Sequence, residues 1–237
     1  MLKIGNNLIN KIYIGNSFID KVAVGYSARN LPYLCELEYL ESTGTEMINT
    51  GIVFSAEKDC KISACVMNLH NNRSIIASSY KDDYSQSISL EFGGTSNSKA
   101  GYLRGYLIYR SNDSTSSFWS STDLPLNIKL NVAHKWIAST KTQELTYNGT
   151  TETKVRTTVP AFSETSEIKL FLDNRANNSA IAYPVRIYDL QIEVDNELVR
   201  DFIPVLDYNR KACMYDKVSG KLFYNQGTGS FNYAMLQ

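Results

Sequence analysis

The sequence predicts an all-β protein, an antiparallel two-sheet jelly-roll sandwich preceded by a short N-terminal β-repeat segment. Three observations carry this prediction. Stretches at 61–67, 87–92, 102–109, 126–132, 144–148, 167–172, 185–194 and 221–225 alternate apolar with polar residues or are rich in β-branched and aromatic ones. Turn formers cluster between them at Asn71-Asn72, Gly93-Gly94, Asn112-Asp113, Asn148-Gly149 and Asn177-Asn178. No stretch holds a helical period, and many short strands at this spacing indicate a sandwich or barrel.

The first 32 residues form a segment of their own, with the sandwich expected over 33–237. Ile4-Gly5-Asn6, Ile14-Gly15-Asn16 and Val24-Gly25-Tyr26 repeat in register every ten residues, as do Ile9 with Ile19 and Lys11 with Lys21. Each unit reads as strand, turn, strand, because β-branched residues flank a dipeptide that tolerates positive φ. Three such units bury too little apolar surface to fold alone. They are expected either to associate with other chains, a trimer being favoured, or to pack as an edge hairpin on the sandwich; 27–32 is then the linker.

Within the sandwich, alternation shows which face is which. Leu126, Ile128, Leu130 and Val132 alternate with polar residues and are expected in the core, as are Ile168, Leu170 and Leu172. Asn148-Gly149 is the turn of a hairpin. Another hairpin is expected across 214–224, turning at Val218-Ser219-Gly220-Lys221 and returning the C-terminus to the first strand near 37–40.

Composition excludes several functions. Lys plus Arg and Asp plus Glu number 24 each, so no long-range field favours nucleic acid or an anionic membrane. No apolar run is long enough to span a bilayer, and the N-terminus lacks the pattern of a secretory signal; a soluble product is expected. Cys35, Cys60, Cys65 and Cys213 have neither paired spacing nor a neighbouring histidine, so they read as buried free thiols rather than metal ligands. His70 and His134 read as satisfied or exposed histidines, and the acid and amide pairs Asp82-Asp83 and Asp173-Asn174 as solvated turns. No cofactor, metal or catalytic residue is expected.

The candidate binding residues are Tyr102, Arg104, Tyr106 and Arg110, which a strand places on one face, together with Trp119. Tyrosines stack on the apolar face of a pyranose while guanidinium groups donate to hydroxyls, and rigid aromatics lose little entropy on binding. Surface strands are also rich in Tyr and Arg for reasons of fit alone. Phe118 and Trp119 fall in a serine-rich stretch, 111–123, read as a loop on a rigid scaffold.

Two blocks frame the sandwich: Glu38-Tyr39-Leu40-Glu41-Ser42-Thr43-Gly44-Thr45, and Arg200-Asp201-Phe202-Ile203-Pro204 continuing to Met214-Tyr215-Asp216-Lys217-Val218-Ser219-Gly220. They resemble the opening and closing segments of a concanavalin A-like, laminin-G-like sandwich family found in tail and other surface proteins of phages and prophages of gut bacteria. The resemblance covers about 33–233 and is strongest over 198–229; Lys211-Ala212-Cys213 stands where it implies a glycine-containing stretch. The N-terminal repeat is likewise similar to segments of phage tail-associated proteins. The resemblance implies a virion surface module and names no ligand; the expectation built on it is a non-enzymatic virion structural and adhesion protein, assembled in the bacterial cytoplasm, joined to other virion proteins through its N-terminal segment and presenting a lectin-like sandwich to host-surface polysaccharide. Two alternatives stay open: a capsid or tail decoration protein without ligand, and a glycan hydrolase or lyase. Asp189, Gln191 and Glu193 share a strand face as in glucanases of this fold, but an amide holds the middle position and the glucanase Glu-x-Asp-x-x-Glu pattern is absent. Arg200 and Asp201 are expected to anchor the C-terminal extension, with Phe202 and Ile203 in the core.

Overall fold

The computed structural model describes residues 31–80, 87–94, 98–108, 117–157, 167–172 and 183–236, together with the backbone of 2–4, 7–9, 12–14 and 17–19. The chain divides into two compact units, Met1–Leu31 and Pro32–Gln237.

In the first unit, β1 (Leu2–Ile4) pairs antiparallel with β2 (Asn7–Ile9), and β3 (Ile12–Ile14) with β4 (Ser17–Ile19). Leu2 faces Ile9 and Ile12 faces Ile19, so the repeat in sequence is a repeat in register. The Gly-Asn turns, the third repeat and most of the linker lie outside the described residues.

The second unit is all-β, built from two antiparallel sheets packed face to face. One has six strands, in the order β11 (Ser117–Asp123), β10 (Tyr102–Ile108), β9 (Ser87–Phe92), β8 (Ser74–Tyr80), β15 (Glu167–Leu170), β6 (Ile48–Val53). The other has ten, in the order β14 (Thr150–Val155), β13 (Thr142–Tyr147), β12 (Lys129–Ile137), β7 (Cys60–Asn68), β16 (Val185–Val194), β5 (Cys35–Glu41), β17 (Glu197–Leu206), β18 (Ala212–Asp216), β19 (Lys221–Phe223), with β20 (Asn232–Met235) paired to β5.

Alternation decides what each strand buries. Ile88, Leu90 and Phe92 of β9 and Leu103 and Leu107 of β10 meet Ile62, Leu130, Leu145, Leu190 and Phe202 of the opposite sheet in one continuous core. Each such side chain contributes roughly 1.5–3 kcal/mol when removed from water. Trp136 is fully buried and donates its indole N–H to the Ala56 carbonyl at 2.8 Å, so its one polar group is satisfied. The four cysteines are free, and burial pushes the Cys60 and Cys213 thiols up to about 12. Cys60 joins the core and Cys65, five positions on, does not, as an odd offset on one strand requires.

Several expectations need correction. The strand expected over 126–132 begins only at Lys129, because Asn127 takes a φ of +59° and turns the chain; Ile128 is consequently 50% exposed. Leu172 is not inward: Phe171 adopts a φ of +71° and carries its ring into the core instead. Ile203 is half-buried and packs with Tyr33, Val205 and Cys213 in a separate small cluster, because β17 turns that face away from the main core. The stretch read as a loop at 111–123 contains the strand β11, pairing Trp119 with Arg104 and Tyr106 with Ser117.

The first block singled out in the sequence is joined in space to the segment that follows the second. Gln226 N–H donates to the Met47 carbonyl at 2.7 Å and Thr228 N–H to the Thr45 carbonyl at 3.1 Å, while β20 runs antiparallel to β5 from Asn232↔Glu41 to Met235↔Leu37. Arg200 donates to the Thr50 carbonyl at 2.9 Å and lies 3.8 Å from Asp216; Asp201 pairs with Lys217 at 2.9 Å. Asp216, fully buried, accepts from the backbone N–H of Asp201, Val218 and Ser219, which shapes the 217–220 turn. Asp216→Ala is expected to cost about 1–3 kcal/mol, because the half-buried Asp201 N–H loses its acceptor while the turn amides can take water. Urea unfolding measures this, and faster proteolysis within 217–231 should accompany it.

Candidate functional site

Strand β10 places Tyr102, Arg104 and Tyr106 outward and Leu103, Gly105 and Leu107 inward, as period two requires. Its neighbour β11 adds Trp119 to the same face, directly opposite Arg104, while Phe118 turns to the core. Tyr102, Arg104, Tyr106 and Trp119 are each half-buried. Arg110 lies outside the described residues, as do Asp82-Asp83, Asp173-Asn174 and the turns Asn112-Asp113 and Asn177-Asn178.

Arg104 organises this face. Its guanidinium carbon lies 4.0 Å from the centroid of Tyr106 and 4.8 Å from that of Trp119, so the cation is held between two rings. Nη1 donates to Glu91 at 2.8 Å, and Nε and Nη2 donate to the Ser117 hydroxyl at 3.1 and 2.6 Å. Tyr102 carries the Lys99 ammonium 4.3 Å from its ring centre.

Glu91, missed by the sequence reading, is the centre of the network. It sits on β9 opposite Arg104, with a side chain of 0% exposure, and also accepts from Arg73 at 2.6 Å. Burial alone would raise its pKa; the charges of Arg73 and Arg104 and their hydrogen bonds hold it below the ordinary carboxylate value. On the same strand Ser87 and Ser89 are fully buried, and their hydroxyls have no hydrogen-bond partner among the described residues. The sequence Ser-Ile-Ser-Leu-Glu-Phe shows which residues point outward, but not that the outward face is covered.

Two glycines let this face form. A Cβ at Gly93 would meet the Trp119 ring at 2.4 Å, so the indole lies flat on bare backbone. A Cβ at Gly105 would meet His134 Cδ2 at 2.6 Å. His134 rises from β12 in the opposite sheet, is fully buried, and its Nδ1 lies 3.1 Å from the Ser89 carbonyl. That contact requires the proton on Nδ1 and leaves Nε2 without a partner among the described residues. A glycine inside an otherwise aromatic strand marks such a close approach, so this signal was present in the sequence.

The edge strand β11 is tied to the opposite sheet rather than left free. Ser121 N–H donates to Glu152 at 3.0 Å, Ser121 Oγ meets Tyr147 OH at 3.1 Å, Tyr147 OH also donates to Glu152, and Lys154 donates to the Ser117 carbonyl at 2.9 Å. The acidic strand has a different character. Glu193 is paired with Lys61 at 2.8 Å, and Asp189 accepts from the Cys65 N–H at 3.2 Å. Among the described residues no three His, Cys, Asp or Glu side chains gather as a metal site would require.

No protein-family model matches the chain, and no curated protein matches it. Solved structures do. A Bacteroides ovatus protein to which carbohydrate binding is ascribed aligns with a TM-score of 0.56 at 10% identity, over 85% of this chain and 60% of its own. Domains LG4-5 of the mouse laminin α1 chain align with a TM-score of 0.53 at 9% identity, over 88% of this chain and 51% of theirs. The protein thus has the fold of the concanavalin A-like, laminin-G-like jelly-roll sandwiches and spans only about half to three-fifths of these two chains. At such identities the likeness concerns the fold alone.

Proposed function

We propose that this protein is a non-enzymatic adhesion module that binds glycan on the outward face of its six-stranded sheet and is carried on a virion through its N-terminal β-repeats. The observation that carries the reading is the Arg104 clamp: two aromatic rings held by a guanidinium that is itself fixed to a buried carboxylate. Rings fixed before binding lose no further freedom when a sugar arrives. The virion setting rests on the resemblance of the framing blocks and the repeat, and copies displayed together would raise avidity without new contacts. The acidic strand supports the non-enzymatic part, since Glu193 is engaged by Lys61 and Gln191 separates it from Asp189. One observation favours the ligand-free alternative of a decoration protein: Arg104 already spends three donors inside the protein.

A glycan array tests the proposal. Binding is expected, and Tyr106→Ala or Trp119→Ala should each weaken it by roughly two- to tenfold, the value of about 0.5–1.5 kcal/mol for a ring contact. A uniformly blank array supports decoration, and turnover of a polysaccharide that Glu193→Gln abolishes would establish an enzyme. Light scattering of the full chain against one beginning at Leu31 tests the attachment segment; equal monomeric masses would remove the trimer.

A further inference from the structure

The closing block does more than fasten the sandwich. Beside the segment that closes on the first framing block lies a concavity of about 470 Å³, a size suited to a small ligand. Arg210, Lys211, Asn225, Ser230, Phe231 and Tyr233 are among the residues that line it.

The walls are rigid. The Arg210 N–H donates to the Asp207 carbonyl at 2.9 Å and the Asp207 N–H to the Lys211 carbonyl at 3.0 Å, which fixes the backbone that carries the two exposed cations. Arg210 has a φ of +60°, a conformation better suited to glycine or asparagine, yet the chain places a guanidinium there. Asn225 accepts from Met47 N–H at 2.9 Å and Gly227 N–H at 2.8 Å, and donates to the Gly229 carbonyl at 3.1 Å. Phe231 is buried, its ring centre 4.8 Å from that of Phe171, while Tyr233 is 42% exposed.

The charge is one-sided. Among the described residues no carboxylate lines the concavity. Asp207 and Glu46 are committed behind its walls. Asp207 is buried and accepts from the N–H groups of Asn209 and Lys211 and from Tyr224 OH. Glu46 is fully buried behind Gly229, with its oxygens taken by Ser42 and Thr43. Two adjacent cations over a cup lined by no described carboxylate call for an anion. The exposed Tyr233 and the Ser230 hydroxyl suit the rest of a sugar ring.

We infer that this concavity is a second saccharide site, selective for a pyranose bearing a carboxylate, with Arg210 and Lys211 receiving the carboxylate and Tyr233 lying against the ring. A planar guanidinium fork matches a carboxylate in two parallel hydrogen bonds, and the lysine adds a point charge. The site is separate from the aromatic face on the other sheet and does not depend on it.

The test is amide chemical-shift mapping of the full chain, with oligogalacturonate and oligosialate as acidic probes and oligogalactose as the neutral one. The acidic probes are expected to move the amides of 210–212 and 225–233, and the neutral probe to leave them in place. Either acidic probe alone suffices, and which one acts identifies the source of the carboxylate. Arg210→Gln combined with Lys211→Gln should weaken binding about tenfold or more. Raising ionic strength from about 0.1 M to about 1 M, which shortens the screening length from about 10 Å to about 3 Å, should weaken wild-type binding and needs no variant to fold. The inference is overturned if neither acidic probe shifts these amides, if the neutral probe shifts them equally, or if the effect survives both salt and the double substitution. Shifts confined to 102–119 would overturn it while supporting the aromatic site, since one spectrum reports the two regions separately.

Discussion

Replacing Glu91 by alanine is expected to lower the folding stability by about 3–5 kcal/mol, the cost of removing one partner from a buried ion pair and leaving the other charge uncompensated. The argument rests on geometry. Glu91 is inaccessible to water, and Arg73 and Arg104, with exposures of 21% and 17%, reach in to meet it at 2.6 and 2.8 Å. Without the carboxylate two guanidinium groups face each other across a covered surface. Neither can keep its position, and Arg104 then no longer holds Tyr106 and Trp119. Urea unfolding should show the midpoint fall with little change in slope. A loss below about 1 kcal/mol would mean that water reaches the arginines and that the face is not organised as described. Glu91→Gln should cost less, since an amide oxygen still accepts from one arginine.

The second large effect is one of pH. His134 is buried without a charge partner, and burial pushes its pKa down from 6.5 to about 4, against the modest opposing effect of the Ser89 carbonyl. The sign follows from proton counting. Between pH 6.5 and 4 the unfolded chain binds a proton at this position that the folded chain does not, so acidification favours unfolding. The stability that the neutral ring secures is complete above 6.5, falls as the pH drops to about 4, and changes no further below that. The drop amounts to about 3 kcal/mol at 1.36 kcal/mol per pKa unit. Glu46 and Glu91, whose values are held below the ordinary 4.5, add their own losses only below that value, so the upper part of the window belongs to the histidine. Denaturation at pH 7, 5.5 and 4.7 should show the slope in the wild type and a much flatter one in His134→Leu. Equal slopes would mean that the ring is charged or hydrated in the fold.

These two residues also mark where the sequence stops being readable. Alternation gave the strands 87–92 and 185–194 to the residue, and it placed Tyr102, Arg104 and Tyr106 on a shared face, because side-chain direction in a strand is a local property. Strand β11 was missed because its serines, like those before it, carry little β propensity; it is a strand because β10 offers an edge and because Glu152 and Lys154 tie it across the sandwich. The turn at Asn127 and the inward swing of Phe171 depend on positive φ at residues other than glycine, which composition does not announce. Glu91 was not singled out, because covering of a face is a tertiary property that the alternation of its strand does not show. His134 and Gly105 lie 29 positions apart on different sheets, and only the glycine hinted that something approached.

The way β20 lies against β5 bears on how the sandwich carries load. The N-terminal segment leads into β5 at Cys35, and that strand is laddered to β16, β17 and β20. Hydrogen bonds between antiparallel strands run perpendicular to the strand axis. Tension arriving along β5 is therefore met by rows of bonds in shear, which must fail together, rather than by an end that can be peeled open one bond at a time. Load applied through the segment that precedes Cys35 would therefore be resisted first at this strand.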